Sequence, residues 1–213
     1  MSRSIPGRFL VLEGLDGSGK TTQLVRLAER LRGLGETVHE TREPTAGPVG
    51  ELLRRILKGE VPADPWTIAA LFAADRLDHL SNARDGLKAK REAGVTILCD
   101  RYYFSSYAYH SAHVPLEWVL QLNAPCARTL RPDLSVFLDL PPEKCVSRLL
   151  SSRPQLELYE NLENMRAVRD RFLAAFDRLR DDERVAVVDG DQDPDAVAGA
   201  IWREVAPLFP GAR

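Results

Sequence analysis

Five short runs of apolar and β-branched residues recur along this chain of 213 residues and predict five strands. They cover residues 8–13, 37–41, 95–100, 134–139 and 185–189. Apolar positions at helical spacing separate these runs, at about 19–34, 48–58, 65–93, 115–130, 141–152, 156–181 and 193–207. Because strands and helices alternate and the strands are nearly all apolar, the pattern predicts an α/β fold. We expect a three-layer arrangement, with a parallel five-stranded sheet covered by helices on both faces.

Four of the five predicted strands end at or next to charged residues that are candidates for a functional site. Glu13 ends the first strand, Arg42 follows the second, Asp100 ends the third and Asp189 ends the fifth. In parallel sheets the ligand site lies at the carboxyl ends of the strands. The sequence therefore favours an enzyme with a composite site at this edge of the sheet.

The segment after the first strand matches the P-loop pattern at every fixed position, as Gly14-x-x-x-x-Gly19-Lys20-Thr21. Such a loop turns its backbone N–H groups toward phosphates at the N-terminus of a helix. Lys20 would reach the β- and γ-phosphates, and the Thr21 hydroxyl would ligate Mg²⁺, which Asp100 would hold through water. The predicted nucleotide-binding residues are Gly14, Leu15, Asp16, Gly17, Ser18, Gly19, Lys20, Thr21 and Thr22. The P-loop alone does not separate a kinase from a GTPase, an ATPase motor or a regulatory ATP-binding module.

The amino-acid composition limits the kinds of partner that the protein is expected to bind. A net charge of −2 provides no basic field for nucleic acid and no polybasic patch for lipid. The longest apolar runs are too short for a membrane span, and the first residues lack the apolar core of a signal peptide. Three cysteines without metal spacing favour a reducing compartment. We therefore expect a cytoplasmic protein that binds neither nucleic acid nor membrane and meets a polyanionic ligand with locally placed arginines.

Two further segments are suggestive but ambiguous. Phe72 and Arg76 are four residues apart and share a helix face, which suits stacking on and donating to a planar base. A core phenylalanine beside a surface arginine would have the same spacing. The break Ser-Ser-Arg-Pro suggests a mobile lid that carries Arg148 and Arg153, although an ordinary turn between helices would look similar.

Together these segments resemble the thymidylate kinase family over nearly the whole chain. The resemblance is carried by EGLDGSGKTTQ, TREPT, LFAADR, DRYYFSSYAY, RPDLSVFLDLPPE and YEN. It implies a P-loop kinase of the nucleoside-monophosphate kinase type, which phosphorylates dTMP to dTDP with ATP and Mg²⁺ and so supplies dTTP for DNA synthesis. It also implies a single domain over residues 1–213, with a short lid at about 148–160, and a homodimer.

The resemblance also assigns roles to individual residues. It places the catalytic charges on Lys20, Arg101 and Arg153. Arg153 is implied because some members have a P-loop arginine where this chain has Gly17, whereas others use an arginine of the lid. Arg148 is the next candidate for that role. The residues implied to bind dTMP are Asp16, Arg54, Phe72, Arg76, Arg101, Ser105, Ser106, Tyr109, Tyr159 and Glu160.

Two other functions remain open at the level of sequence. Another small P-loop kinase, acting on a different nucleotide or on a deoxynucleoside, would share the loop and the fold. A non-catalytic nucleotide-binding switch would share the loop alone, but no NKxD-type guanine motif follows the fourth strand.

Overall fold

A computed structural model describes residues 6–152 and 158–210 of the chain. Its centre is a parallel five-stranded sheet with the strand order β2-β3-β1-β4-β5. The strands are β1 (Phe9–Gly14), β2 (Val38–Arg42), β3 (Thr96–Asp100), β4 (Leu134–Asp139) and β5 (Val185–Asp189). The carboxyl end of β1, which leads into the P-loop, therefore lies between those of β3 and β4.

The helices lie between consecutive strands or after the last strand, and they cover both faces of the sheet. They are α1 (Lys20–Gly33), α2 (Pro48–Leu57), α3 (Pro65–Ser81), α4 (Leu87–Glu92), α5 (Tyr103–His110), α6 (Leu116–Thr129), α7 (Pro142–Ser152), α8 (Leu162–Leu179) and α9 (Pro194–Val205). A 3₁₀ turn, Ala206–Leu208, follows α9. Within the two described ranges, no helix has the length and apolarity that crossing a membrane requires.

Alternate residues of β1 point into two separate apolar cores. Leu10 and Leu12 pack in the core beneath α1 and α9. Phe9 and Val11 pack in the other core, which includes side chains of α5, α6 and α8. Because β1 is buried on both faces, its first four residues are all apolar, and the buried Glu13 that follows them is the exception. The predicted three-layer α/β architecture is confirmed.

The five strands lie within one residue of their predicted bounds, but two predicted helices were wrong in detail and one helix was missed. The single helix expected at 65–93 is two helices, because a turn at residues 82–86 separates α3 from α4. Helix α5 was not predicted. The helix expected from 156 begins at Leu162, where the Asn161 side chain accepts a 2.9 Å hydrogen bond from the backbone N–H of Asn164 and caps the N-terminus.

Candidate active site

The loop between β1 and α1 turns sharply at three glycines. Gly14, Gly17 and Gly19 have φ angles of 147°, 81° and 96°, which residues with a Cβ rarely adopt. At Gly17 a Cβ would also lie 2.7 Å from the carbonyl oxygen of Cys145. The loop therefore depends on glycine, and it leads directly into α1, whose N-terminus favours an anion.

Lys20 is the first residue of α1 and is only 6% exposed. Its Nζ donates a 2.8 Å hydrogen bond to the carbonyl oxygen of Leu15 within the loop. Burial lowers the pKa of this amine, and the charge of nearby Arg101 lowers it further. The amine thus lies inside the loop, where a P-loop lysine contacts the β- and γ-phosphates.

The two predicted magnesium ligands are neighbours. Thr21 Oγ1 donates a 2.8 Å hydrogen bond to Oδ2 of Asp100 at the end of β3. This proximity follows from the sheet, because β3 pairs with β1 and places Asp100 opposite Leu12. A hydroxyl and a carboxylate are hard oxygen donors of the kind that Mg²⁺ prefers. The donor set therefore suits magnesium next to the phosphates.

Arg101 is held in a strained backbone conformation at the centre of the site. Its φ angle is 73°, a positive value that no other non-glycine residue of the described ranges shows and that costs about 1–2 kcal/mol. Its Nη2 donates to Asp16 Oδ1 at 2.7 Å and to the Tyr109 hydroxyl at 3.3 Å. Its Nη1 donates to Ser105 Oγ at 2.9 Å. Three partners therefore orient the planar guanidinium.

Asp16 is an anion that faces the same space. Burial alone would raise its pKa, but the charges of Arg101 and Lys20 outweigh burial and lower the pKa to about 2. The Tyr109 hydroxyl donates to Asp16 Oδ2 at 3.2 Å. Because 37% of the side chain stays exposed, the carboxylate can accept a further hydrogen bond from a ligand hydroxyl.

Arg76 is almost fully buried, with 1% of its surface exposed, and three acceptors surround it. Its Nε donates to Glu43 Oε2 at 2.7 Å, and its Nη1 donates to Ser106 Oγ at 3.0 Å and to Asn123 Oδ1. Burial by itself lowers the pKa of Arg76, but the Glu43 carboxylate raises it above its usual value. The other oxygen of Glu43 lies 3.1 Å from Nδ1 of His79. Arg76 is thus a charged fork in a fixed orientation.

An uncharged aromatic surface lies in the same cavity. Phe72 is half-buried, and its ring centroid lies 4.9 Å from that of His110. Burial, helped by the charge of Arg76, lowers the pKa of His110 to about 3, so the imidazole is neutral at physiological pH. The rings of Tyr109 and Tyr159 meet edge to face at 5.8 Å. Flat rings beside a fixed guanidinium are suited to a planar base.

Arg54 of α2 also reaches this cavity. Its Nη1 donates to the carbonyl oxygen of Thr45 and, at 3.3 Å, to that of Pro44. These bonds tie α2 to the loop that follows β2. The remaining guanidinium donors make Arg54 available to an anion in the cavity.

The structure brings most of the predicted residues together around a single cavity of about 640 Å³. The predicted residues that line it are Asp16, Gly17, Gly19, Lys20, Thr21, Thr22, Arg54, Phe72, Arg76, Asp100, Arg101, Ser105, Ser106, Tyr109, Tyr159 and Glu160. Gly14, Leu15 and Ser18 belong to the P-loop pattern but do not line the cavity. The side chains of Leu15 and Ser18 are buried.

The predicted lid is described only in part. Arg153 lies outside the described residues. Arg148, the second candidate, is in α7 and lines the cavity, with its Nη1 donating to the carbonyl oxygen of Gly17 at 3.4 Å. Beyond the gap, Tyr159 is half-buried and Glu160 is buried. An arginine at the edge of the predicted lid thus contacts the P-loop itself.

Several side chains that shape the site were not predicted to do so. Glu43 belongs to TREPT and Glu13 follows an apolar run, so both were visible as charged residues at strand ends, but neither was given a role. Asn123 and His110 had no distinguishing signal, because their importance depends on helices α5 and α6 packing against α3. Tertiary contacts, rather than local spacing, reveal these residues.

Known proteins of one family match this chain over most of its length. The family model described as thymidylate kinase matches residues 12–201. A thymidylate kinase from Thermomicrobium roseum is 36% identical over 209 residues, covering 96% of this chain and 97% of that protein. A thymidylate kinase from Limosilactobacillus fermentum is 38% identical, covering 95% of this chain and 98% of that protein. A probable thymidylate kinase from Pyrococcus horikoshii is 41% identical over 173 residues, covering 78% of this chain and 82% of that protein. With this match over most of its length, the chain belongs to the thymidylate kinase family of enzymes.

Proposed function

We propose that this protein transfers the γ-phosphoryl group of ATP to dTMP, forming dTDP for dTTP supply. One observation carries the proposal: a P-loop and a base-sized aromatic and arginine surface share a single cavity. Membership of the thymidylate kinase family supports dTMP as the acceptor. The acceptor phosphate is already an anion, so the reaction needs positioning and charge neutralisation more than a strong base.

On the donor side, the P-loop N–H groups and Lys20 bind the phosphates of ATP. Thr21 and Asp100 would hold Mg²⁺, Thr21 directly and Asp100 through water. When bound, the ion neutralises charge on the phosphate oxygens. Lys20 is already desolvated, so its interaction with a phosphate is stronger than it would be in water. This side of the cavity therefore stabilises charge on the transferred group.

On the acceptor side, Arg101 orients the phosphate of dTMP beside the γ-phosphate. Asp16 accepts a hydrogen bond from the 3′-hydroxyl, and Tyr109 crowds the 2′ position, which favours deoxyribose. Phe72 stacks on thymine and Arg76 donates to a base carbonyl. The supporting contacts would come from Arg54, Ser105, Ser106, Tyr159 and Glu160.

The chain acts as one domain, residues 1–213, with a lid at about 148–160. Closure of the lid excludes water, which would otherwise accept the phosphoryl group. An arginine of the lid stabilises charge on that group in the transition state. Arg153 is the first candidate and Arg148 the second, since Arg148 already contacts the P-loop carbonyl of Gly17.

We also propose a homodimer and a cytoplasmic location. Helix α3 exposes Trp66 (47%) and Leu77 (37%), and the Trp66 ring packs edge to face on Trp118 of α6. An aromatic pair on two adjacent helices suits an interface between copies of the chain. The three cysteines are free and buried, as is usual in a reducing compartment.

A screen of acceptors tests the proposed function. The purified protein is incubated with ATP and Mg²⁺ and with one acceptor at a time: dTMP, dUMP, dCMP, UMP, CMP or thymidine. ADP formation is followed in each reaction, with acceptor-free protein as the reference. We expect the highest kcat/KM for dTMP. A preference for UMP, CMP or thymidine would favour another small P-loop kinase, and hydrolysis independent of the acceptor would favour a nucleotide-binding switch.

A further inference from the structure

Glu13 is a fully buried carboxylate at the carboxyl end of β1, immediately before the first glycine of the P-loop. Its Oε1 accepts hydrogen bonds from the backbone N–H of Tyr102 at 2.9 Å and of Ser105 at 3.2 Å. Its Oε2 accepts a 2.6 Å hydrogen bond from the Ser105 hydroxyl. Three hydrogen-bond donors from residues 102–105 thus converge on the carboxyl group of Glu13 in β1.

Those donors belong to the N-terminus of α5. The first N–H groups of a helix have no partner within the helix and need an acceptor from elsewhere. Tyr102, at the N-cap of α5, makes no side-chain capping bond. Glu13 supplies the missing acceptor from β1, and in its ionised form its negative charge complements the positive end of the helix. The position of α5 therefore depends on a residue of the strand that carries the P-loop.

The contact continues from α5 to the reacting groups. Ser105 Oγ donates to Glu13 and accepts a 2.9 Å hydrogen bond from Nη1 of Arg101. The other end of the Arg101 fork donates to Asp16 in the P-loop at 2.7 Å. Glu13, Ser105, Arg101 and Asp16 therefore form a chain of hydrogen bonds that begins at the end of β1 and ends in the loop between β1 and α1.

We propose that Glu13 is a positioning residue that aligns the acceptor half of the site with the P-loop. Arg101, Ser105 and Tyr109 lie at or just before α5, whereas Glu13 adjoins Gly14. This inference rests on the proposed kinase function, because it concerns how the acceptor is placed beside ATP. Glu13 acts through the hydrogen bonds of its neighbours, and it does not line the cavity itself.

Glu13→Gln is the decisive variant, since glutamine has the same shape. An amide facing Ser105 would donate to Oγ, which already accepts from Arg101, so the serine hydroxyl would lose its acceptor. Glu183→Gln is the matched control: Glu183 is also largely buried, at 6% side-chain exposure, and accepts a 2.7 Å hydrogen bond from α5, but from the Tyr103 hydroxyl. Glu13→Asp keeps the carboxyl group but shortens the side chain by one methylene. This variant replaces Glu13→Gln in the experiment if Glu13→Gln does not fold.

The readouts are steady-state kinetics with the acceptor and calorimetric binding of ATP in the absence of acceptor. The acceptor is whichever monophosphate the wild-type protein uses best, so failure of dTMP as a substrate is detected separately. We expect Glu13→Gln to lower kcat/KM for the acceptor about 10- to 100-fold. Its ATP affinity should stay within about twofold of wild type. Glu183→Gln should change neither the acceptor kcat/KM nor the ATP affinity. An acceptor kcat/KM within about threefold of wild type, or an equal loss of ATP affinity, would overturn the inference.

Discussion

Replacing Arg101 with lysine removes the planar fork but keeps the positive charge. Arginine donates from two nitrogens at once, to Asp16 at 2.7 Å and to Ser105 at 2.9 Å. A lysine ammonium is a single point of charge on a flexible stem and cannot hold both partners in this geometry. Position 101 has a positive φ angle, but both residues have a Cβ, so the backbone strain is equal in the variant and in wild type.

The expected loss follows from these contacts. A hydrogen bond that involves a charged group contributes about 1.5–3 kcal/mol, and the acceptor phosphate would lose its second donor as well. We expect Arg101→Lys to lose about 3 kcal/mol of transition-state stabilisation, which corresponds to roughly a hundredfold in rate. Most of this loss should fall on kcat, because the fork orients the acceptor phosphate for transfer.

The measurement is a coupled assay of ADP formation with saturating dTMP and ATP. Arg169→Lys is a matched control, because Arg169 also holds a carboxylate with two nitrogens, Asp139 at 2.6 and 2.7 Å, but does not line the cavity. The control should stay within about threefold of wild type, on the scale of a partly exposed ion pair. A value of kcat for Arg101→Lys above about a third of wild type would refute the reasoning, since charge alone would then suffice.

Four further changes test other parts of the account. Lys20→Ala should lower turnover roughly a hundredfold or more, because one phosphate contact is worth about 3 kcal/mol; near-wild-type turnover would contradict the ATP site. Tyr109→Ala should lower the ratio of dTMP to ribo-TMP efficiency by removing a steric barrier, and an unchanged ratio would make Tyr109 a packing residue. Arg153→Ala should lower kcat about a thousandfold without changing calorimetric dTMP affinity; a drop below about threefold would transfer the role to Arg148. Burial raises the pKa of Glu13 from 4.5 to about 7 against the opposing Ser105 hydrogen bond and Arg101 charge, so the folded state retains this proton longer than the unfolded state. The unfolding free energy of wild type relative to Glu13→Gln should therefore fall by about 3 kcal/mol as pH rises from 4.5 through 7; denaturant titrations across this range check it, and a constant difference would contradict the shift.

The three central strands could be predicted from sequence because they are buried on both faces. Continuous runs such as FLVLE and LSVFLD are apolar for a reason that any parallel sheet imposes. Helix α5 could not be predicted from its pattern of apolar and polar residues. Seven of its eight residues are buried, so it has no polar face that would reveal the helical periodicity. The turn between α3 and α4 was also missed, since apolar spacing continues on both sides of residues 82–86.

The positions of candidate site residues could be predicted where a local sequence motif determines them. The P-loop pattern placed Lys20 and Thr21, and the end of β3 placed Asp100, because loop and strand geometry bring them to one edge of the sheet. The three acceptors around Arg76 were not predictable as a set, since Glu43, Ser106 and Asn123 come from different parts of the chain. Only the packing of α5 and α6 on α3 brings them together.

The central claim is that this cavity delivers a phosphoryl group from ATP to the phosphate of dTMP rather than to water. Ion-exchange chromatography of a single reaction with ATP, Mg²⁺ and dTMP, combined with a colorimetric assay of inorganic phosphate, tests it directly, because dTDP, ADP and inorganic phosphate are then quantified separately. We predict that dTDP and ADP form in equal amounts, with no accumulation of inorganic phosphate. ADP appearing with inorganic phosphate and without dTDP would contradict the claim.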